Sequence, residues 1–137
     1  MGEVRVRVKL TNVRDEIAAS EGQIKKEDVR RYEADAMVDT GAVQCVIPQF
    51  VMQQLGLTVR RQRVVEYADG RKETVDVTEP LQFDINGRAS DENALVLGDE
   101  VLIGQTFLEV TDLMVDCNNR RIIPNPAHPD QPVIKIK

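Results

Sequence analysis

Asp39, Thr40 and Gly41 are the residues whose types and order invite chemistry. Asp39 follows the alternating run Ala34-Asp35-Ala36-Met37-Val38, where a strand leaves a core and its next polar residue meets solvent. Thr40 favours extended backbone, and Gly41 permits a tight turn and the close approach of another chain. The tripeptide thus displays a carboxylate from a short rigid loop, as general acid or base catalysis requires, and we read Asp39 as a catalytic residue. The same three residue types also make ordinary strand-ending turns. The other candidate groups are poorer. A single histidine, His128, and two cysteines without paired spacing, Cys45 and Cys117, supply no zinc ligand set, so no metal and no other cofactor is expected. Both thiols are expected to be free. His128, within Pro124-Asn125-Pro126-Ala127-His128-Pro129, is expected to be solvated on an extended surface tail, away from any cysteine nucleophile. Asp69 and Asp116 read as turn formers.

The elements that must position Asp39 are short and mostly extended. Val4, Val6, Val8 and Leu10 alternate with Glu3, Arg5, Arg7 and Lys9, which makes Glu3 to Leu10 a half-buried strand. Thr11 to Asp28 is polar and contains Gly22, a connection with one helical turn around Asp15 to Ser20. Val29 to Val38 leads to Asp39, and Ala42 to Ile47 resumes an apolar, strand-like run. Pro48 and Gly56 bracket a short helix. Val59 to Tyr67 and Arg71 to Val77 flank Ala68-Asp69-Gly70, a hairpin signal in which Gly70 supplies the positive φ. Leu81 to Ile85 alternates again, Asn86-Gly87 turns, and Ala94 to Leu97 and Val101 to Ile103 are further strands before the helix-compatible Gln105 to Val110. Leu113 to Asp116 and Arg121 to Ile123 form a last hairpin about Asn118-Asn119. Four prolines then lead to the alternating Val133 to Lys137, either a loose chain end or a strand that pairs with Glu3 to Leu10 or with a second copy.

Composition bounds the rest. The 137 residues, 42% of them hydrophobic, fit one domain, with an N-terminal strand and loop (1–28), a core (29–123) and a Pro-rich tail (124–137). Only 4% are aromatic and Trp is absent, so the core must come from Val, Leu, Ile, Met and Ala, a mixture that favours an all-β fold. A net charge of -5, with 18 basic and 23 acidic residues and no long basic run, argues against nucleic acid as a partner. No apolar run approaches the ~20 residues that span a bilayer, and alternating charges stand where a signal sequence would lie, so no membrane partner and a cytoplasmic location are expected.

Three segments then fall in a telling order: Met37-Val38-Asp39-Thr40-Gly41-Ala42, the hairpin tip Glu66-Tyr67-Ala68-Asp69-Gly70-Arg71, and Leu102-Ile103-Gly104 ahead of a short helix. This order resembles that of the retroviral-type (retropepsin-like) aspartic proteases, the small bacterial members in particular, from Met37 to about Asp116. The resemblance implies a closed β-barrel or sandwich with a flap hairpin and one or two short helices. It also implies residue roles: Asp39 catalytic, Thr40 bonding across a two-fold axis, and Gly41 exposing backbone to an extended substrate. Ala42, Leu102, Ile103 and Gly104 would pack beneath the loop or line the cleft, and Tyr67, Ala68, Asp69 and Gly70 would cover the substrate.

Hydrolysis of a peptide bond by carboxylates needs one to take a proton from water and a second, protonated one to polarise the substrate. The sequence holds one Asp-Thr-Gly. The second carboxylate is therefore expected from Asp39 of another copy across a two-fold axis, which makes the expected protein a homodimeric aspartic endopeptidase acting on polypeptides. The alternatives keep the fold without the chemistry: a groove that binds peptides as an added strand, or a structural dimer in which Asp39 is a turn residue.

Overall fold

The alternating valines at the N-terminus build the first strand of the structure, a computed structural model that describes residues 2–137. Strand β1 (Arg5–Asn12) runs antiparallel to β2 (Arg31–Val38), pairing Arg5 with Met37 and Thr11 with Arg31, while Lys9 to Asn12 also pair with β6 (Leu81–Ile85). Val8 and Leu10 are fully buried, as period-two patterning requires. The strand runs two residues beyond Leu10 because buried Asn12 has work at both ends of its amide. Its Nδ2 donates to the Leu55 carbonyl at 2.7 Å, and its Oδ1 accepts from the Asp15 N–H at 3.0 Å. That second bond caps α1 (Val13–Ser20), so the single turn expected there is a helix of 8 residues.

The remaining elements follow the apolar runs, with shorter spans. They are β3 (Val46–Ile47), α2 (Gln49–Leu55), β4 (Val59–Glu66), β5 (Lys72–Thr78), β7 (Arg88–Glu92), β8 (Leu95–Val96), β9 (Leu102–Ile103), α3 (Gln105–Thr111), β10 (Leu113–Asp116) and β11 (Arg121–Pro124). Pro48 stands at the N-cap of α2 and Gly56 at its C-cap with φ 64°, the asymmetry read from the sequence. Nine strands make one curled sheet in the order β4-β5-β8-β3-β9-β2-β1-β6-β7, and β10 and β11 form a separate hairpin. Strands hold 40% of the residues and helices 18%, so the fold is all-β and retropepsin-like as expected, with three short helices where one or two were anticipated. A single buried cluster extends from Val8 to Ile122, and within it the Phe83 and Phe107 rings meet at 5.9 Å between centroids. No helix is long and apolar enough to cross a membrane.

Two buried carboxylates tie the N-terminal part to this core. Glu79 accepts from Arg14 Nε at 2.6 Å, from a second Arg14 nitrogen at 2.9 Å and from the Thr58 N–H at 2.7 Å. Asp15 accepts from the Arg30 guanidinium at 2.8 and 3.0 Å and from the Arg30 N–H at 3.0 Å. In each, hydrogen bonds from the arginine hold the carboxyl below its ordinary range against the opposing effect of desolvation. Because the folded-state pKa is the lower one, both groups stabilise the fold above the unfolded carboxylate value of about 4, and this contribution fades as pH falls through the folded values. Urea unfolding should therefore show stability falling steadily below about pH 4, with a shallower fall in Glu79→Gln. An unchanged slope in that variant would acquit Glu79.

Of the alternatives for the C-terminal residues, pairing with β1 does not occur. Residues 125–137 form no strand, so Val133 to Lys137 do not pair with β1; β2 already occupies one edge of β1, and β6 takes the other over Lys9–Asn12. The tail is held instead by Asp112, which closes α3 with φ 58°. Its carboxylate accepts from Asn125 Nδ2 at 2.9 Å and from the Val133 N–H at 3.1 Å, and it lies 2.6 Å from His128 Nδ1. Asn125 foremost, then Val133 and His128, hold the Asp112 carboxyl below its usual range. Buried Arg88 completes the clamp by donating to the carbonyls of Thr111, Asp112 and His128. The expectation of a solvated His128 is thus corrected, because a carboxylate distant in sequence meets the ring.

Candidate active site

The Asp39 loop leaves the end of β2 and returns as β3, and β9 lies between these two strands. Met37 and Val38 pair in parallel with Leu102 and Ile103, and Val46 pairs antiparallel with Leu102. The Asp39 N–H donates to the Ile103 carbonyl at 2.9 Å, and the carbonyls of Ala42 and Val43 accept from Gln105 and Thr106 at 2.8 and 3.1 Å. Asp39 thus sits on a loop bonded at one shoulder to β9 and at the other to the start of α3. Within the loop, Asp39 Oδ1 accepts from the Gly41 N–H at 3.0 Å and the Asp39 carbonyl accepts from the Ala42 N–H at 3.1 Å. These bonds orient the half-buried carboxylate and leave Oδ2 free of protein partners among the described residues.

Gly104 owes its identity to close approach. Its φ of -93° suits any residue, but a Cβ there would lie 2.6 Å from both the carbonyl carbon and oxygen of Gln44. The Gly104 N–H donates to Cys45 Sγ at 3.4 Å. Cys45 is fully buried and burial pushes its thiol up to about 12, so it packs and accepts a hydrogen bond but supplies no thiolate nucleophile. Cys117 is exposed, and both cysteines are free.

Asp39, Gly41, Ala42 and Leu102 line a cleft of about 610 Å³ together with Val64, Val65, Glu66, Tyr67 and Ala68 of the β4–β5 hairpin. The loop and the hairpin that follows it in sequence therefore share one cavity, of a size that holds several side chains. Leu95, Leu97, Val43 and Val46 add to its apolar lining and were not singled out in the sequence; the alternation of Leu95 and Leu97 about a buried Val96 was the available signal. Ile103 lies fully buried beneath, and Asp69 and Gly70 stand exposed at the hairpin tip, outside the lining. Thr40 turns the other way. It faces a second depression, of about 660 Å³, bounded by α3, Met114 and the tail residues Val133 to Lys135. That depression is slightly the larger, but the carboxylate belongs to the first. Among the described residues, no group of His, Cys, Asp and Glu could hold a metal ion.

The hairpin tip has its own support. Tyr67 donates from its hydroxyl to Glu73, which raises the hydroxyl pKa, and the Arg71 guanidinium stacks 4.2 Å from its ring centroid. The Gly70 N–H donates to the Tyr67 carbonyl at 2.9 Å, and Asp69 Oδ1 accepts from the Arg71 N–H at 2.9 Å. Gly70 has φ 85° with nothing within 4 Å of its missing Cβ, so a substitution there meets backbone strain alone. Gly70→Val should introduce roughly 1–2 kcal/mol of strain, absorbed by the hairpin without unfolding the core. Peptide cleavage, expected from the resemblance, should slow about tenfold, with the unfolding midpoint lowered by no more than a few degrees. Wild-type kinetics would make the hairpin a structural feature only.

A search of curated proteins finds no match to this chain. A family model described as "gag-polyprotein putative aspartyl protease" matches residues 19–110, a span that contains the Asp39 loop, the hairpin and Gly104. The match covers most of the chain and spans the three segments that the sequence singled out, and the chain accordingly belongs to this retropepsin-like family of aspartyl proteases.

Proposed function

We propose that the protein is an aspartic endopeptidase that acts as a homodimer. The observation that carries this reading is the half-buried Asp39 carboxylate in an apolar cleft beneath a hairpin, with no second carboxylate bonded to it among the described residues. Asp39 of a second copy supplies the missing group. One carboxylate takes a proton from water, whose oxygen attacks the peptide carbonyl, while the other, protonated, donates to the carbonyl oxygen. Collapse of the tetrahedral intermediate breaks the C–N bond, and the amine leaves with a proton returned by the dyad. Thr40, exposed beside the apolar surface of Met114, Val133 and Ile134, forms hydrogen bonds across the axis. Ala42 and Leu102 contact the substrate, Tyr67, Ala68, Asp69 and Gly70 close over it, and Ile103 and Gly104 support the loop from below. Incubation with a diverse peptide library, with and without pepstatin, tests the reading alongside sedimentation at the assay concentration. Pepstatin-sensitive cleavage by a dimer is expected. Cleavage by a strict monomer would overturn the shared dyad, and absence of cleavage at every concentration would overturn the endopeptidase.

A further inference from the structure

The outer strand of the hairpin carries charge that no ion pair among the described residues answers. Twelve arginines occur in the sequence. Arg5, Arg7, Arg14, Arg30, Arg71 and Arg121 hold carboxylates, and Arg31 and Arg88 donate to backbone carbonyls. Of the four left, Arg60, Arg61 and Arg63 lie together on β4, all exposed, and among the described residues none has an ion-pair partner. β4 is an edge of the sheet, and charge on an edge strand guards it against pairing with other chains. Guarding needs no particular sign, however, and the opposite edge, β7, carries Asp91 and Glu92. In a protein of net charge -5, three uncompensated cations give β4 a field opposite to that of the whole.

The strand register fixes where two of them point. Arg61 is paired with Val77 and Arg63 with Val75, and directly opposed residues share a face. Val75 and Val77 are buried, so Arg61 and Arg63 lie on the inward face of the hairpin. Val65 is the next residue on that face, and it lines the cleft with Asp39, as Val64 of the other face also does at this end of the hairpin. From the cleft outward the face therefore reads Val65, Arg63, Arg61, in steps of about 6.8 Å. A polypeptide extended in the cleft has the same two-residue period. The residue meeting Val65 is followed, at alternate positions, by side chains within reach of Arg63 and then Arg61.

We propose that Arg61 and Arg63 determine specificity, selecting polypeptide segments with Asp or Glu at alternate positions flanking the apolar stretch held in the cleft. This rests on the endopeptidase reading, which supplies the substrate class. A guanidinium presents paired donors to a carboxylate, and such exposed pairs weaken with salt. Arg60 adjoins the register shift between Val59 and Arg61 and takes no assigned role.

Two fluorescein-labelled peptides that share one apolar centre test the assignment, one carrying Glu at alternate flanking positions and the other Gln. Wild-type protein should cleave the Glu peptide with kcat/KM about fivefold higher at low salt, through KM, as two solvent-exposed ion pairs provide. In R61Q/R63Q, and in about 0.5 M salt, the ratio should fall within about twofold. Anisotropy on D39N reads binding apart from chemistry and should give the same preference. Equal kcat/KM and equal affinity for the two peptides would overturn the proposal, as would a preference that survives R61Q/R63Q. A binding preference without any cleavage by wild type would instead overturn the endopeptidase reading and leave the arginine assignment standing.

Discussion

Asp39→Asn should lower the rate of peptide cleavage by about 10³-fold or more, with the unfolding midpoint and the sedimentation behaviour unchanged. The substitution is conservative where the loop needs it to be. An amide oxygen at the Oδ1 position still accepts from the Gly41 N–H, now 3.0 Å away, so the turn survives. What disappears is the ability to hold or take a proton, and in a two-fold dimer it disappears from both halves of the dyad at once. Initial rates on a cleavable peptide, paired with urea unfolding and sedimentation of the same samples, check the three parts together. A variant retaining a tenth of the wild-type rate would remove Asp39 from the chemistry. Binding without cleavage in wild type would favour the peptide-binding alternative, and indifference of both to the substitution would reduce Asp39 to a turn former.

The second large effect belongs to Gly104, which lies outside the lining of the Asp39 cleft. Gly104→Ala should destabilise the protein by about 1–3 kcal/mol, the usual penalty for inserting a methyl into packed structure. Relief is difficult because the atoms in the way, the carbonyl group of Gln44, are backbone and cannot rotate aside. To make room, β9 must part from the 42–45 segment, which strains the bonds from Gln105 and Thr106 to Ala42 and Val43 and the Asp39 loop with them. Peptidase activity should therefore fall with stability, as denaturant titration and rate measurement on one preparation will show. A fully stable Gly104→Ala would mean that the two segments separate without penalty.

The parts of this fold that can be read from the sequence are those whose cause is local. The valines of β1, Pro48 and Gly56 around α2, and Asp69-Gly70 between β4 and β5 each carry their own signal in period, cap or turn chemistry. The Asp39 loop, the hairpin and Gly104 were legible as an ordered set through a family resemblance, although no single one of them is distinctive. What escaped is what joins distant residues. Asn12 ends a strand as a polar residue, and nothing near it announces that Leu55 will accept from its side chain. His128 sits among prolines, and its neighbour Asp112 is fixed by the end of a helix sixteen positions earlier. Thr40 and Asp39 are adjacent in the chain yet face different depressions, because the tight loop between two strands turns successive side chains apart.

The bonds that hold the Asp39 loop also set a schedule for its appearance. Its partners at β9 and α3, from the Val101 carbonyl that accepts from Met37 to the Thr106 N–H that donates to Val43, all lie about sixty residues further along the chain. At a synthesis rate of about 5–20 residues per second, the Asp-Thr-Gly segment leaves the ribosome roughly 3–13 s before the residues that brace it. Throughout that interval the tripeptide belongs to a nascent chain with no β9 and no α3. A ribosome-bound fragment ending before Val101 should expose Asp39 on a segment paired with β1 on one side and open on the other. Maturation of the site is thereby deferred until the segment from Val101 to Thr106 has been made.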